Sequence, residues 1–149
     1  MKDKSVLDQV ITLEPNVDYF LGPNLRLLNC KIVSNAIARN IFFSGVEMTE
    51  GFFEQGPRLE NFHFEKAHFN KVKFCGDFAG CDFGDWDNSD KSSIVNCDFV
   101  DANMNDCRFL NTDMRTISLP AWPHFSLHSP VDARDFSYGE LGQRNCELH

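Results

Sequence analysis

Residues 97–114 read CDFVD-ANMND-CRFLN-TDM, a run in which one large apolar residue returns at every fifth position. Working outward, the same step carries Ile94, Phe99, Met104, Phe109 and Met114. Upstream it carries Phe78 and Phe83, and before them Leu59, Phe64, Phe69 and Phe74. A fainter stretch, Phe43, Met48 and Phe53, comes first. Two residues ahead of these positions lies a mostly small set: Ala67, Val72, Gly76, Cys81, Cys97, Ala102, Cys107 and Thr112. Between large and small sits a short polar residue, as at Asp77, Asp82, Asp98, Asn103 and Asp113. Helical faces recur at 3.6 residues and strand faces at 2, so a period of five requires a chain that turns every five residues.

These units resemble the pentapeptide-repeat family, whose motif is a small residue, Asp or Asn, then Leu or Phe and two variable residues. The resemblance covers residues 59–114 clearly and 30–58 weakly. It implies an all-β, right-handed, four-sided β-helix with four pentapeptides to a coil, the large and small residues both pointing inward. The physical reading agrees, because a Phe stacked on a Phe of the next coil makes a continuous apolar column, beside which only a small residue fits. On this reading residues 30–114 form about four coils. The inward core is Phe64, Phe69, Phe74, Phe78, Phe83, Ile94, Phe99, Met104, Phe109 and Met114.

The flanks read differently. Residues 1–29 suit an N-terminal cap, with apolar and polar groups alternating through Val10, Ile11, Leu13, Val17, Tyr19 and Leu21. Residues 115–149 carry Pro120, Pro123 and Pro130 among Trp122, Phe125, Phe136 and Tyr138, a composition for an irregular flap folded over the last coil. That flap is a cap, a homodimer contact or a partner site. Three breaks interrupt the step: six residues from Phe53 to Leu59, four from Phe74 to Phe78, and eleven from Phe83 to Ile94. The last reads as a loop pushed out of one face around Trp86.

Charge narrows the function. The 149 residues carry a formal charge of -8, which argues against gripping nucleic acid through its phosphates and favours a partner with a basic face. The excess is local. Residues 30–74 hold five acids against six bases, whereas 75–114 hold nine acids against Lys91 and Arg108. Asp77, Asp82, Asp98 and Asp113 fall in the motif slot, where short side chains bond nearby backbone at turns. Asp85, Asp87, Asp90, Asp101 and Asp106 fall outside it. Around Trp86 they suggest an acidic rim with an aromatic centre, and Trp122 in the flap is a second candidate contact. The plainer alternative is a solvated loop with the Trp tucked back.

No catalytic constellation, metal-ligand spacing or cofactor motif is present. His124 and His128 lie among prolines that oppose a helix, and His63 and His68 fall on outward positions where solvation is the plain expectation. The cysteines at 30, 75, 81, 97, 107 and 146 are expected to be reduced, since no apolar secretion segment opens the sequence and no run is long enough to span a bilayer. A cytoplasmic location is expected. The sequence therefore suggests a non-catalytic protein-binding module. The first expectation is an inhibitor or immunity-type protein that neutralises a toxin or enzyme. The alternative, implied by the family resemblance, is a DNA mimic that binds DNA gyrase or topoisomerase and protects it from inhibitors.

Overall fold

The computed structural model describes residues 1–86 and 91–121, together with the backbone of 125–127. Its strands are β1 (Lys4–Leu7), β2 (Val10–Leu13), β3 (Tyr19–Leu21), β4 (Leu25–Ser34), β5 (Ile41–Phe43), β6 (Val46–Glu60), β7 (Ala67–Ala79), β8 (Asp82–Gly84), β9 (Ser93–Val95), β10 (Ala102–Asn105), β11 (Cys107–Leu110) and β12 (Phe125–Leu127). Every pairing among them is parallel. The chain is a β-solenoid of about four turns, each strand lying over its counterpart in the turn before.

The pitch can be followed down one face. Ser5 lies opposite Arg26, Arg26 opposite Glu47 and Glu47 opposite His68, a step of 21 residues each time. The next step, His68 to Ser93, takes 25 residues. That gain of four is the net of two residues fewer at the step from Phe74 to Phe78 and six inserted between β8 and β9, where the sequence places a protruding loop.

Four inward columns fill the interior. On the first face Leu27, Met48, Phe69 and Ile94 succeed one another, and on the second Ile11, Ile32, Phe53, Phe74 and Phe99. The third holds Leu59, Phe78 and Met104. The fourth holds Leu21, Phe43, Phe64, Phe83 and Phe109. Rings stack along each column, as in Phe74 on Phe99 at 4.5 Å and 5° and Phe64 on Phe83 at 4.7 Å and 15°. Between columns they meet edge to face, as in Phe69 against Phe74 at 5.1 Å. Both geometries suit the ring quadrupole. Every large residue of the five-residue step is buried, and so are its small partners Ala67, Val72, Cys81, Cys97, Ala102, Cys107 and Thr112.

The corners are built by residues in the left-handed region at equivalent places in successive turns. One corner uses Asp3, Asn24, Gly45 and Lys66, and the next uses Asp8, Asn29, Glu50, Lys71 and Asn96. Asp and Asn tolerate this conformation best and can ladder their side chains. Asn24 Nδ2 donates to Asp3 Oδ1 at 3.0 Å, and Asn29 Nδ2 to Asp8 Oδ1 at 2.6 Å. Gly76, at φ 121°, is required for another reason, because a Cβ there would stand 2.2 Å from the Gln55 carbonyl oxygen.

Two of the sequence breaks are one feature. Phe53 pairs with Phe74 and Leu59 with Phe78, so the six-residue step lies over the four-residue step and the register shifts between Gln55 and Leu59. Gln55 is buried in this bulge, and its Nε2 donates to the carbonyls of Ala36 at 2.8 Å and Pro57 at 3.0 Å.

Two expectations change. Residues 1–29, read as a cap, supply β1, β2 and β3, which pair in register with β4 and β5 as the first turn of the same stack. The cysteines are not uniformly reduced: Cys30, Cys81, Cys97 and Cys107 are free thiols, while Cys75 is disulfide-bonded. Cys75 follows the inward Phe74, so strand alternation turns it away from the small-residue slot, and it is fully buried on that outer side of the strand. Of residues 115–149, the described part holds a short 3-10 turn at Met114–Thr116 and β12, which pairs with β11.

Candidate functional site

The fourth face carries the chemistry. Its outward positions are Phe20, Phe42, His63, Asp82 and Arg108. Strand alternation turns these out wherever Leu21, Phe43, Phe64, Phe83 and Phe109 turn in. Phe20 and Phe42 stack at 4.8 Å and 11°, both exposed. His63 Nε2 meets the Gly84 carbonyl oxygen at 3.0 Å.

Asp82 and Arg108 occupy adjacent turns in direct register. Arg108 Nε and Nη2 donate to the two Asp82 oxygens, each at 2.6 Å, in the bidentate fork that carboxylates favour. The hydrogen bond to Asp82 raises the Arg108 pKa above its ordinary value. The guanidinium then lies 4.7 Å from the centroid of the Trp86 ring. Trp86 itself is 50% exposed. An indole held on one side by a cation that is itself clamped is presented to solvent as a rigid aromatic surface. Gly84, at φ 90°, lets the chain leave β8 toward this position.

The acidic rim expected around Trp86 is only partly gathered. Asp85 adjoins it, while Asp87, Asp90 and Trp122 lie outside the described residues. Asp101 follows the second face and is engaged by Lys73 Nζ at 2.8 Å, a hydrogen bond that raises the Lys73 pKa. Asp106 is an exposed corner residue at φ 54°, just before β11. The motif-slot acids divide between two jobs. Asp98 Oδ1 accepts from Val100 N at 2.8 Å, and Asp113 caps its turn by accepting from Arg115 N at 3.0 Å. The Arg115 hydrogen bonds lower the Asp113 pKa. Asp77 and Asp82 form ion pairs with Arg58 and Arg108, and Asp113 pairs with Arg115 as well.

Charge along the neighbouring corner is mixed. A groove of about 840 Å³ is lined by Lys4, Arg26, Glu47, Lys66, His68 and Lys91 among others, with Arg26 and Glu47 paired at 3.1 Å. His68 Nδ1 meets Ser93 Oγ at 2.7 Å, so neither His63 nor His68 is simply solvated. The slot thiols bond the carbonyls around them, as Cys81 does with Leu59 O at 3.2 Å and Cys107 with Phe78 O at 3.4 Å. Burial pushes the Cys97 thiol up to about 11, and the Cys81 hydrogen bond together with burial pushes Cys107 higher. These are packing groups rather than nucleophiles. Among the described residues, no group of three or more His, Cys, Asp or Glu is placed to hold a metal ion, and no helix is long and apolar enough to cross a membrane.

Sequence reading located Trp86 but missed Arg108 and Asp82 as its support, because residues 26 positions apart meet only once the turn length is known. Compared with known proteins, the chain matches no family model, no curated protein and no solved structure.

Proposed function

We propose that this chain is a pentapeptide-repeat protein that works without catalysis, in the cytoplasm, as an inhibitor or immunity-type protein binding a toxin or enzyme with a basic face. The observation that carries the reading is the Trp86–Arg108–Asp82 unit. A half-exposed Trp, pinned by a cation at 4.7 Å that is bonded in turn to a carboxylate, has the composition and rigidity of a binding hot spot. The acidic residues beside it in sequence, Asp85, Asp87 and Asp90, would steer a basic partner toward that anchor.

The DNA-mimic alternative draws less support. A mimic needs uncompensated acids along one face, whereas Asp77, Asp82, Asp101 and Asp113 each face a Lys or Arg within 3.0 Å.

The test is capture from the source cell on immobilised chain, followed by kinetics on the isolated partner. The expected partner is basic, its association slows with salt and with Asp85→Lys/Asp87→Lys/Asp90→Lys, and Trp86→Ala speeds dissociation about tenfold or more. A partner indifferent to both variants would count against this face. DNA competition with gyrase that depends on Asp98 and Asp113 would favour the mimic instead.

A further inference from the structure

We propose that the first turn of the solenoid is a self-association surface, joining two copies of this chain end to end about a two-fold axis. Among the described residues, no strand pairs with the outer edge of β1, β2 or β3, so half of their backbone donors and acceptors face outward in three open ladders. Of the inward residues of this turn, Leu13 and Leu21 are buried, while Val6, Ile11 and Tyr19 are only partly buried although they pack on the core. Their counterparts one turn in, Leu27, Ile32 and Ile41, are buried. The end is thus a cross-section of the core.

The flanks of the rod point to the same end. Three outward columns begin apolar at the first turn and end polar, while the columns of Ser5 and Thr12 begin polar. Leu7 is followed by Leu28, Thr49 and Asn70. Val10 is followed by Lys31, Phe52, Lys73 and Asp98. On the fourth face, Phe20 and Phe42 give way to His63, Asp82 and Arg108. Leu7, Val10 and Phe20 are 57%, 67% and 61% exposed. Solvated rungs carry charged or polar groups at such positions, as these columns do from His63 onward, whereas Leu28, Phe42 and Phe52 continue the apolar rim into the next two turns; an apolar rim around an open edge marks an interface.

The charges at this end favour a second copy as the occupant. Lys2 precedes the corner at Asp3 and Lys4 opens β1 just after it, and Glu14 sits at the corner after β2, diagonally across the end. A two-fold axis along the other diagonal exchanges these corners and lays the lysines of each copy over Glu14 of its partner. Asp8 and Asp18, on the corners that the axis leaves in place, are bonded back to Asn29 at 2.6 Å and Asn40 at 2.7 Å. The area is sufficient. Sides of four to five residues with their side chains give a square about 25 Å across, or roughly 1,200 Å² buried in total, at the lower end of specific interfaces.

The experiment is sedimentation equilibrium on the full chain, with two charge variants and their mixture. Lys2→Glu/Lys4→Glu places like charges across both contacts, and so does Glu14→Lys. Wild type is expected to be a dimer at about 100 µM, with each variant at least about tenfold weaker. An equimolar mixture of the two should return to dimer, since every contact then pairs opposite signs, and that recovery also shows both variants folded. Wild type that stays monomeric at that concentration overturns the proposal. So do variants that keep the wild-type mass, as a flap-mediated dimer would, and a mixture that fails to recover.

Discussion

Replacing Phe74 with Ala puts the columnar core to its hardest test. Phe74 has no exposure and lies at the centre of the aromatic packing, stacked on Phe53 and Phe99 along its own column and meeting Phe64, Phe69, Phe78 and Phe83 across the interior. Removing the ring opens a void of about 100 Å³, worth about 2.4 kcal/mol at roughly 24 cal/mol per Å³. The lost transfer of the ring from water adds about 2 kcal/mol. The sum, about 4 kcal/mol, agrees with the usual range for buried Phe to Ala. Neighbouring rings are fixed by the turns on either side, so collapse into the void is limited. With about 2.1 cal/mol/K of unfolding entropy per residue, a chain of 149 residues should lose about 13 °C in Tm. Thermal melts by far-UV circular dichroism read this, with Phe42→Ala as control: Phe42 is 42% exposed on an outward position and should cost about 1 kcal/mol or less. A Phe74→Ala melt within 2 °C of wild type, or equal losses for the two variants, would refute the inward and outward assignment.

Other outcomes follow from single sites. Cys97 keeps its proton in the fold up to about 11, from an ordinary thiol value of 9.0, so the folded state holds more protons than the unfolded chain between those values. Stability should be full below pH 9 and fall by about 2–3 kcal/mol as pH rises to 11. Urea melts of Cys97→Ala, which should cost little at pH 7 because the slot takes Ala at 67 and 102, should lack that component. Gly76→Ala should destabilise by at least about 2 kcal/mol, since the new Cβ meets the Gln55 carbonyl oxygen in a left-handed conformation; a neutral melt would contradict the close approach. Arg108→Ala should release Trp86 and leave the part-buried Asp82 carboxylate without its partner. About 1 kcal/mol is expected, discounted for solvent screening, together with a change in the tryptophan emission assigned by difference against Trp86→Phe. Alkylation under non-reducing conditions should leave Cys75 unlabelled, whereas Cys30, Cys81, Cys97 and Cys107 become reactive on unfolding.

The interior was legible because its rule is local. A large residue every fifth position, with a small one two before it, needs no knowledge of the turn length, and all of Phe43 through Met114 on that step are buried. The first turn was illegible by the same rule: its inward residues Val6, Ile11 and Leu21 are separated by a five-residue and then a ten-residue step, and only pairing with β4 and β5 places them in the columns. The bulge at Gln55 read as two breaks because one irregularity appears in each of two adjoining turns. At the candidate site, Trp86 stood out by composition and by the broken step. Its supports did not, since Asp82 looked like an ordinary slot residue and Arg108, in the same slot of its own unit, entered only the count of bases. Their meeting depends on the six residues inserted before β9, which lengthen the turn so that Arg108 lies over Asp82. Asp101 was grouped with Trp86 from charge alone, and it is Lys73 on the second face that engages it.

The turn register itself can be measured directly by excising one turn. Deleting residues 25–45 joins Asn24 to Val46 and, because the step is 21 residues on this face, should set Lys4 opposite Val46 and Ile11 opposite Phe53 with every column intact. Deleting 25–44 instead shifts the first turn by one residue and reverses the facing of its side chains. The stack predicts a cooperative melt within about 10 °C of wild type for the first deletion and loss of the cooperative transition, or a far larger drop, for the second. Equal behaviour of the two deletions, whether both fold or both fail, would contradict a solenoid with this register.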